Sequence, residues 1–262
     1  MELCSLFDVR GKTSLVTGGA RGIGAMISRA LVVNGAHVII VSRKAEQCAK
    51  FAAELSACGP GTAESFAADL SQESECERIA KLMSAQNRML HILVNNSGCN
   101  WGESLATYPH KAFEKVFQLN VFGVFTLTRL LLPLMERSVK PDDPCRIINI
   151  GSINGASVSA METYAYSSSK AALHHLTKTL ASKLAPKGIN VNAILPGPFY
   201  TDMTIGTFKP VEKMILQSVP TGRLGKPEDI AGAVLYLSSR ASSYVSGALI
   251  PVDGGSLVSP KL

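Results

Sequence analysis

The chain is 262 residues long and 46% hydrophobic, with 26 basic against 20 acidic side chains and a formal net charge of +6. That composition fits a well-buried globular core, and basic residues scattered without a block give no sign of nucleic-acid binding; a phosphate-rich cofactor or an acidic partner accounts for the same excess. No apolar run reaches the roughly eighteen residues that span a bilayer, and residues 1–12 contain acids and no apolar signal core, so a cytoplasmic protein without a membrane anchor is expected.

Residues 12–17 are a short apolar run ending in glycines, and 23–34 carry helical spacing. A second buried strand, Ala-His-Val-Ile-Ile-Val-Ser at 36–42, leads into a helix over 45–57. Strands over 63–68, 92–95, 146–151, 190–195 and 249–252 follow, separated by helical patterns at about 74–87, 111–136, 165–185 and 227–239. Near-continuous Val/Ile/Leu strands alternating with helices predict an α/β fold of Rossmann type, a doubly wound, seven-stranded parallel sheet with helices on both faces. No repeat or linker interrupts it, and 141–144 reads as a polar turn. Residues 1–262 are therefore expected to form one domain.

Residues 196–227 break the rhythm. They follow a strand end and carry Met203, Ile205, Phe208, Val211, Met214 and Ile215 among threonines and lysines. Ligands of open α/β sheets bind beyond the carboxyl ends of the strands. The insertion reads either as a substrate lid or as a surface excursion with its own small core. The six cysteines (Cys4, Cys48, Cys58, Cys76, Cys99, Cys145) contain no Cys-x-x-Cys, and His174 and His175 are adjacent and diverge on a helix. Neither set indicates a metal or a disulfide framework.

The first strand runs into Thr17-Gly18-Gly19-Ala20-Arg21-Gly22-Ile23-Gly24, where glycines let the backbone approach a pyrophosphate held at a helix N-terminus. The second strand ends at Ser42-Arg43, with no acid where an NAD site usually binds the ribose 2′-hydroxyl. Ser42, Arg43 and Arg21 can instead bind a 2′-phosphate through charge-assisted bonds, which favours NADP(H). Asp69-Leu70 follows the third strand and either touches the adenine or, through Asp69, caps the next helix. Asn96, Ser97 and Gly98 form a sharp turn after the fourth strand. Asn120 is polar in an apolar helix, and a buried amide there holds a water or bridges two backbones.

Ser152 follows the fifth strand, fourteen residues before Tyr166. Tyr166 and Lys170, four residues apart, lie one turn apart on one helix face. An ammonium about 4 Å from a phenol contributes roughly 4 kcal/mol at an effective dielectric of about 20. That predicts a phenol ionising about two to three pH units below the ordinary value near 10.

In this order, the Thr-Gly-x3-Gly-x-Gly loop, the Asn-Asn-x-Gly turn, Asn120, Ser152, Tyr166 and Lys170 resemble the short-chain dehydrogenase/reductase family of the single-domain kind. The likeness covers almost the whole chain. Residues 93–98 with Trp101-Gly102, 118–121 and 165–174 are most similar to its 3-oxoacyl-thioester reductases. Pro196-Gly197 with Thr201 resembles the segment beside the nicotinamide carboxamide, and Asp253-Gly254-Gly255 the C-terminal signature. The chain departs from the family in its serine-to-tyrosine separation, one residue longer than usual with Ile153 at the expected place, and in Ser97, where alanine is usual. Tyr164 lacks a paired lysine because position 168 is serine. The family's enoyl reductases place the tyrosine seven residues before the lysine, and position 163 is threonine.

The resemblance implies that one NADP(H) domain reduces a ketone to a secondary alcohol. Tyr166 donates the proton, Lys170 lowers its pKa and holds the nicotinamide ribose, and Ser152 bonds the carbonyl oxygen. Asn120 positions a water that resupplies the proton through Lys170, and no metal is required. The expected substrate is a 3-oxoacyl thioester on acyl carrier protein or coenzyme A. The alternatives are a steroid, sugar-like alcohol or xenobiotic carbonyl and, outside catalysis, an inactive NADP-binding regulator or scaffold. Arg137, Lys140 and Lys187 occupy places similar to residues that dock the carrier protein. Family analogy implies a homodimer or homotetramer through the helices at 111–136 and 165–185 and the last strand.

Overall fold

The computed structural model describes residues 3–159, 161–201 and 212–259. Seven strands, Thr13–Thr17 (β1), His37–Ser42 (β2), Thr62–Ala67 (β3), Ile92–Asn95 (β4), Cys145–Ile150 (β5), Ile189–Pro196 (β6) and Leu249–Val252 (β7), form one sheet. All neighbours are parallel, in the order β3-β2-β1-β4-β5-β6-β7. Each strand end lies within one residue of its expected place. The two-residue period of a strand explains why both faces are apolar: Val38 and Ile40 of β2 pack into one layer, Ile39 and Val41 into the other.

The helices are Leu3–Leu6 (α1), Gly22–Val33 (α2), Ala45–Ser56 (α3), Glu73–Ala85 (α4), His110–Phe117 (α5), Val124–Glu136 (α6), Tyr164–Leu184 (α7), Glu212–Gln217 (α8) and Pro227–Ser238 (α9). On one face α2, α3 and α9 close Leu31, Leu55 and Val234 over Val16, Ile40 and Ile148. On the other, α4, α6 and α7 bring Ile79, Leu131 and Leu184 over Leu15, Ile39 and Val191. Each such side chain contributes about 1.5–3 kcal/mol on leaving water. The strand order runs outward both ways from the β1–β4 pair, which opens a crevice beyond their carboxyl ends.

The stretch expected as one helix at 111–136 is helical throughout, with a π turn at Gln118–Gly123 joining α5 to α6. Gly123 lies against the Leu70 carbonyl with no room for a Cβ, and the turn carries Asn120 into the interior, fully buried. Taken whole, His110–Glu136 spans 27 residues, and an 18-residue window within it reaches a mean hydropathy of 1.4, enough by length and composition alone to cross a membrane. Its Leu127, Leu131 and Leu134 are buried in the layer it shares with β4 and α4.

At the amino ends of the strands, Asp143 of the 141–144 turn accepts from Lys12 at 2.8 Å and Arg146 at 2.7 Å. Both cations continue to carbonyls at the end of α9, those of Ser238 and Ser239. Burial pushes the Asp143 carboxyl up, but these bonds outweigh it and hold it below its ordinary value. Arg137, Lys140 and Lys187 lie at this same end, and Lys187 pairs with Glu136 at 2.7 Å. Strand β5 alone, six residues at about 3.3 Å each, puts them on the order of 20 Å from Ser152. On its own chain this basic group therefore does not border the candidate site.

Candidate active site

Beyond β1 the chain turns through Gly18 (φ 62°) and Gly22 (φ 52°), both left-handed. A Cβ on Gly24 would run into the Gly18 carbonyl and the Asn96 amide. Asn96 Nδ2 donates to the carbonyls of Thr17 and Gly18 at 2.9 and 3.2 Å. Thr17 Oγ1 accepts from the backbone N–H groups of Asn96 and Ser97 at 2.9 and 2.8 Å. The turn after β4 is thus laced to the glycine loop across the crevice. Helix α2 opens on an extended Arg21, with neither a side-chain cap nor an acid in its first turn. Its positive end, at Gly22, Ile23 and Gly24, is on the cleft wall, an arrangement that receives phosphate. The glycine cradle and this helix end fit a dinucleotide.

On the β2 side, Ser42 and the exposed Arg43 and Arg21 line the same cleft. Asp69 and Leu70 line it after β3. Asp69 does not cap α4, which opens on Gln72. Its Oδ1 accepts from the Ser71 N–H and hydroxyl at 3.1 and 2.8 Å, an Asx turn that fixes the loop.

On the β5 side, Lys170 Nζ donates to the Ile150 carbonyl at 2.7 Å. Ser152 opens a 3-10 turn, Ile153–Gly155, with its Oγ accepting from the Asn154 N–H at 3.2 Å. Its side chain is also near enough to Tyr166 to lower the phenol's pKa. Ser152, and not Ile153, therefore meets the tyrosine despite the longer separation. Tyr166 and Lys170 share the cleft wall, the ammonium 5.6 Å from the phenol ring centre.

The net shift of the phenol is upward, against the expected lowering. Burial pushes Tyr166 above its ordinary value against the opposing Ser152 side chain, and burial takes Lys170 down to about 8. The expected lowering assumed a close Tyr–Lys contact. Here the ammonium is bonded to the Ile150 carbonyl, and desolvation is the largest cause of both shifts.

Asn120 is the one sequence candidate off the cleft wall. Its Oδ1 accepts from the Cys99 N–H at 2.9 Å, and its Nδ2 donates to the Cys99 carbonyl and to Ser169 Oγ, both at 3.0 Å. Its side chain thus ties the Cys99 main chain to the Ser169 hydroxyl on α7. The wall continues through Ser97, Gly98, Pro196, Gly197 and Thr201. Gly197 donates to Val252 at 3.0 Å, and without a Cβ it admits the Asp253 backbone. The Asp253 carboxylate accepts from the Gly255 and Leu257 N–H groups at 2.9 and 2.8 Å, so the C-terminal signature is a brace behind the wall. Met203, Ile205, Phe208 and Val211 lie outside the described residues; Met214 is on α8 and largely exposed.

Several site residues were not singled out from the sequence. Ala68, Leu119, Ile150, Gly151 and Phe199 also line the cleft. Phe199 is buried over Gly225, where a Cβ would strike its ring, a pairing across 26 residues that leaves no local signal. The Tyr108 hydroxyl donates to the Trp101 carbonyl at 2.9 Å and accepts from the Ala165 N–H at 3.1 Å. It ties the 101–108 loop to the residue before Tyr166. A tyrosine just before a Pro-initiated helix was the available hint, since a half-buried phenol seeks a partner.

A family model described as enoyl-(acyl carrier protein) reductase matches residues 18–256. The chain belongs to the short-chain dehydrogenase/reductase family. Among members of that family it is similar to the rhamnolipids biosynthesis 3-oxoacyl-(acyl-carrier-protein) reductase of Pseudomonas aeruginosa, 45% identical over 251 residues, covering 95% of this chain and 97% of that one. The solved RhlG/NADP active-site complex of Pseudomonas aeruginosa superposes with a TM-score of 0.93 at 44% identity, covering 98% of this chain and 100% of the other. The 7alpha-hydroxysteroid dehydrogenase of Escherichia coli is 35% identical over 246 residues, 94% of each chain.

Proposed function

We propose that this chain is an NADPH-dependent reductase that converts 3-oxoacyl thioesters, on acyl carrier protein or coenzyme A, to their 3-hydroxyacyl products. The observation that carries this reading is a single cleft with Ser152, Tyr166 and Lys170 on its β5 side and Ser42, Arg43 and Arg21 on its β2 side. NADPH, when bound, supplies the hydride. Ser152 hydrogen-bonds the substrate carbonyl oxygen as negative charge develops there. Tyr166, kept protonated by burial, donates its proton to that oxygen. Lys170 stabilises the phenolate left behind and holds the nicotinamide ribose. Asn120 keeps the Cys99 turn in register with α7 and positions the water that resupplies the proton through Lys170.

The glycine loop, Asn96 to Gly98, Asp69, Leu70, Pro196, Gly197 and Thr201 hold the rest of the cofactor. Arg43 recognises the 2′-phosphate. Loss of one such charge-assisted bond is worth about 1.5–3 kcal/mol. Arg43→Ala is accordingly expected to raise the KM for NADPH roughly 10- to 100-fold and to leave that for NADH nearly unchanged. An equal effect on both cofactors would remove the 2′-phosphate assignment.

An acyl substrate is supported by the loops flanking Ser152 and Tyr166, which expose Leu105 (70%), Val158 (81%) and Met161 (44%). In this reading the whole chain is one domain, and 196–227 is the lid over the acyl chain. The test is NADPH oxidation, followed at the nicotinamide absorbance, with acetoacetyl-CoA and a longer 3-oxoacyl thioester, each against NADH. Turnover with NADPH that rises with chain length is expected. No turnover despite saturable NADPH binding would send the substrate search to steroids, diketones and sugar alcohols, the reading that the hydroxysteroid dehydrogenase relative favours. The protein in this reading works in the cytoplasm as a homodimer or homotetramer. Self-association is supported by Phe113, Phe122 and Phe125, exposed on α5, the π turn and α6.

A further inference from the structure

One turn beyond Lys170 on α7, His174 is only 5% exposed and has no part in the chemistry above. Its Nε2 accepts the Ser152 backbone N–H at 3.4 Å. An acceptor there must be unprotonated, so the ring proton is on Nδ1, and the ring's other side lies against the Gly155 backbone. The ring therefore spans the 3-10 turn Ile153–Gly155, bonded at its first end and packed against its last. Room is made for it by two glycines. A Cβ on Gly151 would strike the ring, and one on Gly155 would come within 2.7 Å of Cε1. Lys170, four residues earlier, takes the Ile150 carbonyl at 2.7 Å. Successive turns of one helix thus grip the backbone just before Ser152 and at Ser152 itself.

We infer that His174 is a positioning residue for Ser152: its neutral imidazole fixes the turn whose first residue presents the hydroxyl to Tyr166 and to the reacting oxygen. It acts through the main chain and is not on the cleft wall. Burial first, and then the neighbouring Lys170 charge, hold the ring down to about 4, so it stays an acceptor at neutral pH. The exposed His175, pointing away, takes no part. The kinetic consequence rests on the reductase reading, whereas the structural one does not.

Three variants separate positioning from packing. His174→Gln keeps an acceptor near the Nε2 position, His174→Asn places its amide nearer Nδ1, and His174→Leu fills the space with no hydrogen bond. Amide hydrogen exchange over residues 150–156, NADPH binding by fluorescence and NADPH-driven turnover of acetoacetyl-CoA are measured on each full-length protein. A hydrogen bond that aligns a reacting group is worth up to about 10²-fold in rate. The Leu and Asn variants are expected to exchange at least about 10-fold faster at the Ser152 amide and to lose roughly 10- to 100-fold in kcat, with the NADPH Kd within about 2-fold of wild type. The Gln variant is expected to stay within about 3-fold on every readout. Wild-type exchange and kcat in the Leu variant, or equal losses in all three, would overturn the inference. If the Leu variant does not fold, equal behaviour of Gln and Asn overturns it. A wild-type protein inert toward acetoacetyl-CoA would count against the reductase reading alone, and the exchange comparison would still decide the role of His174.

Discussion

Tyr166→Phe is expected to lower kcat for ketone reduction by about 10³-fold or more, with NADPH binding nearly intact. The substitution removes one oxygen and leaves the ring against which Lys170 is placed, 5.6 Å from its centre. Without the phenol, charge developing on the substrate oxygen meets only the Ser152 hydroxyl. That group can hydrogen-bond the charge but is too weak an acid to neutralise it. Tyr164 cannot stand in. Its hydroxyl donates to Glu162 at 2.8 Å, that bond raises its pKa, and it is absent from the cleft wall. Steady-state NADPH oxidation beside a fluorescence titration of NADPH checks both halves of the expectation. Normal turnover by the variant would sink the assignment of Tyr166 as proton donor. A parallel loss of NADPH affinity would show that the hydroxyl serves binding instead.

Most of the fold was legible because its central strands are buried on both faces, which leaves apolar runs such as 37–42 and 92–95. The site was legible wherever chemistry demands a residue type at a strand end: glycines against a phosphate, a cation for a 2′-phosphate, a Tyr-x3-Lys turn. All of those candidates but Asn120 line one cleft. What stayed hidden depends on contacts between distant segments. The direction of the Tyr166 shift turns on desolvation by segments distant in the chain. The same holds for the Asn120 bridge to Cys99 and for His174 beneath Ser152, which a sequence shows only as one polar residue in a helix. The π turn was hidden for a related reason. Gly123 reads as an ordinary helix glycine until the Leu70 carbonyl is found in the place of its Cβ.

Lys170 links this electrostatic correction to a measurable pH profile. With its pKa at about 8, the rate of ketone reduction is expected to be flat through neutral pH and to fall about tenfold per pH unit above 8. Raising the pH through that value discharges the ammonium that stabilises the Tyr166 phenolate, while Tyr166 itself, raised by burial, keeps its proton. Oxidation of the alcohol needs the phenolate as base, and at pH 7 less than about one phenol in a thousand is ionised even at the ordinary value near 10. The oxidative rate therefore rises with pH where the reductive rate falls. Lys170→Met is expected to cost about 10²-fold or more in kcat and to abolish the limb near pH 8. Its effect on stability runs the other way. A lysine whose folded pKa lies below its unfolded value of 10.5 binds its proton less well when folded, so at neutral pH its burial costs about 3 kcal/mol, and that cost disappears above pH 10.5. Against this, methionine leaves the Ile150 carbonyl without its donor, about 1–3 kcal/mol. Thermal midpoints of the two proteins should be close at pH 7, and the variant should become the less stable one as the pH approaches 10.5. A reductive profile flat to pH 10 in the wild type, or a variant unfolded at neutral pH, would show that the buried ammonium serves the fold and not the reaction.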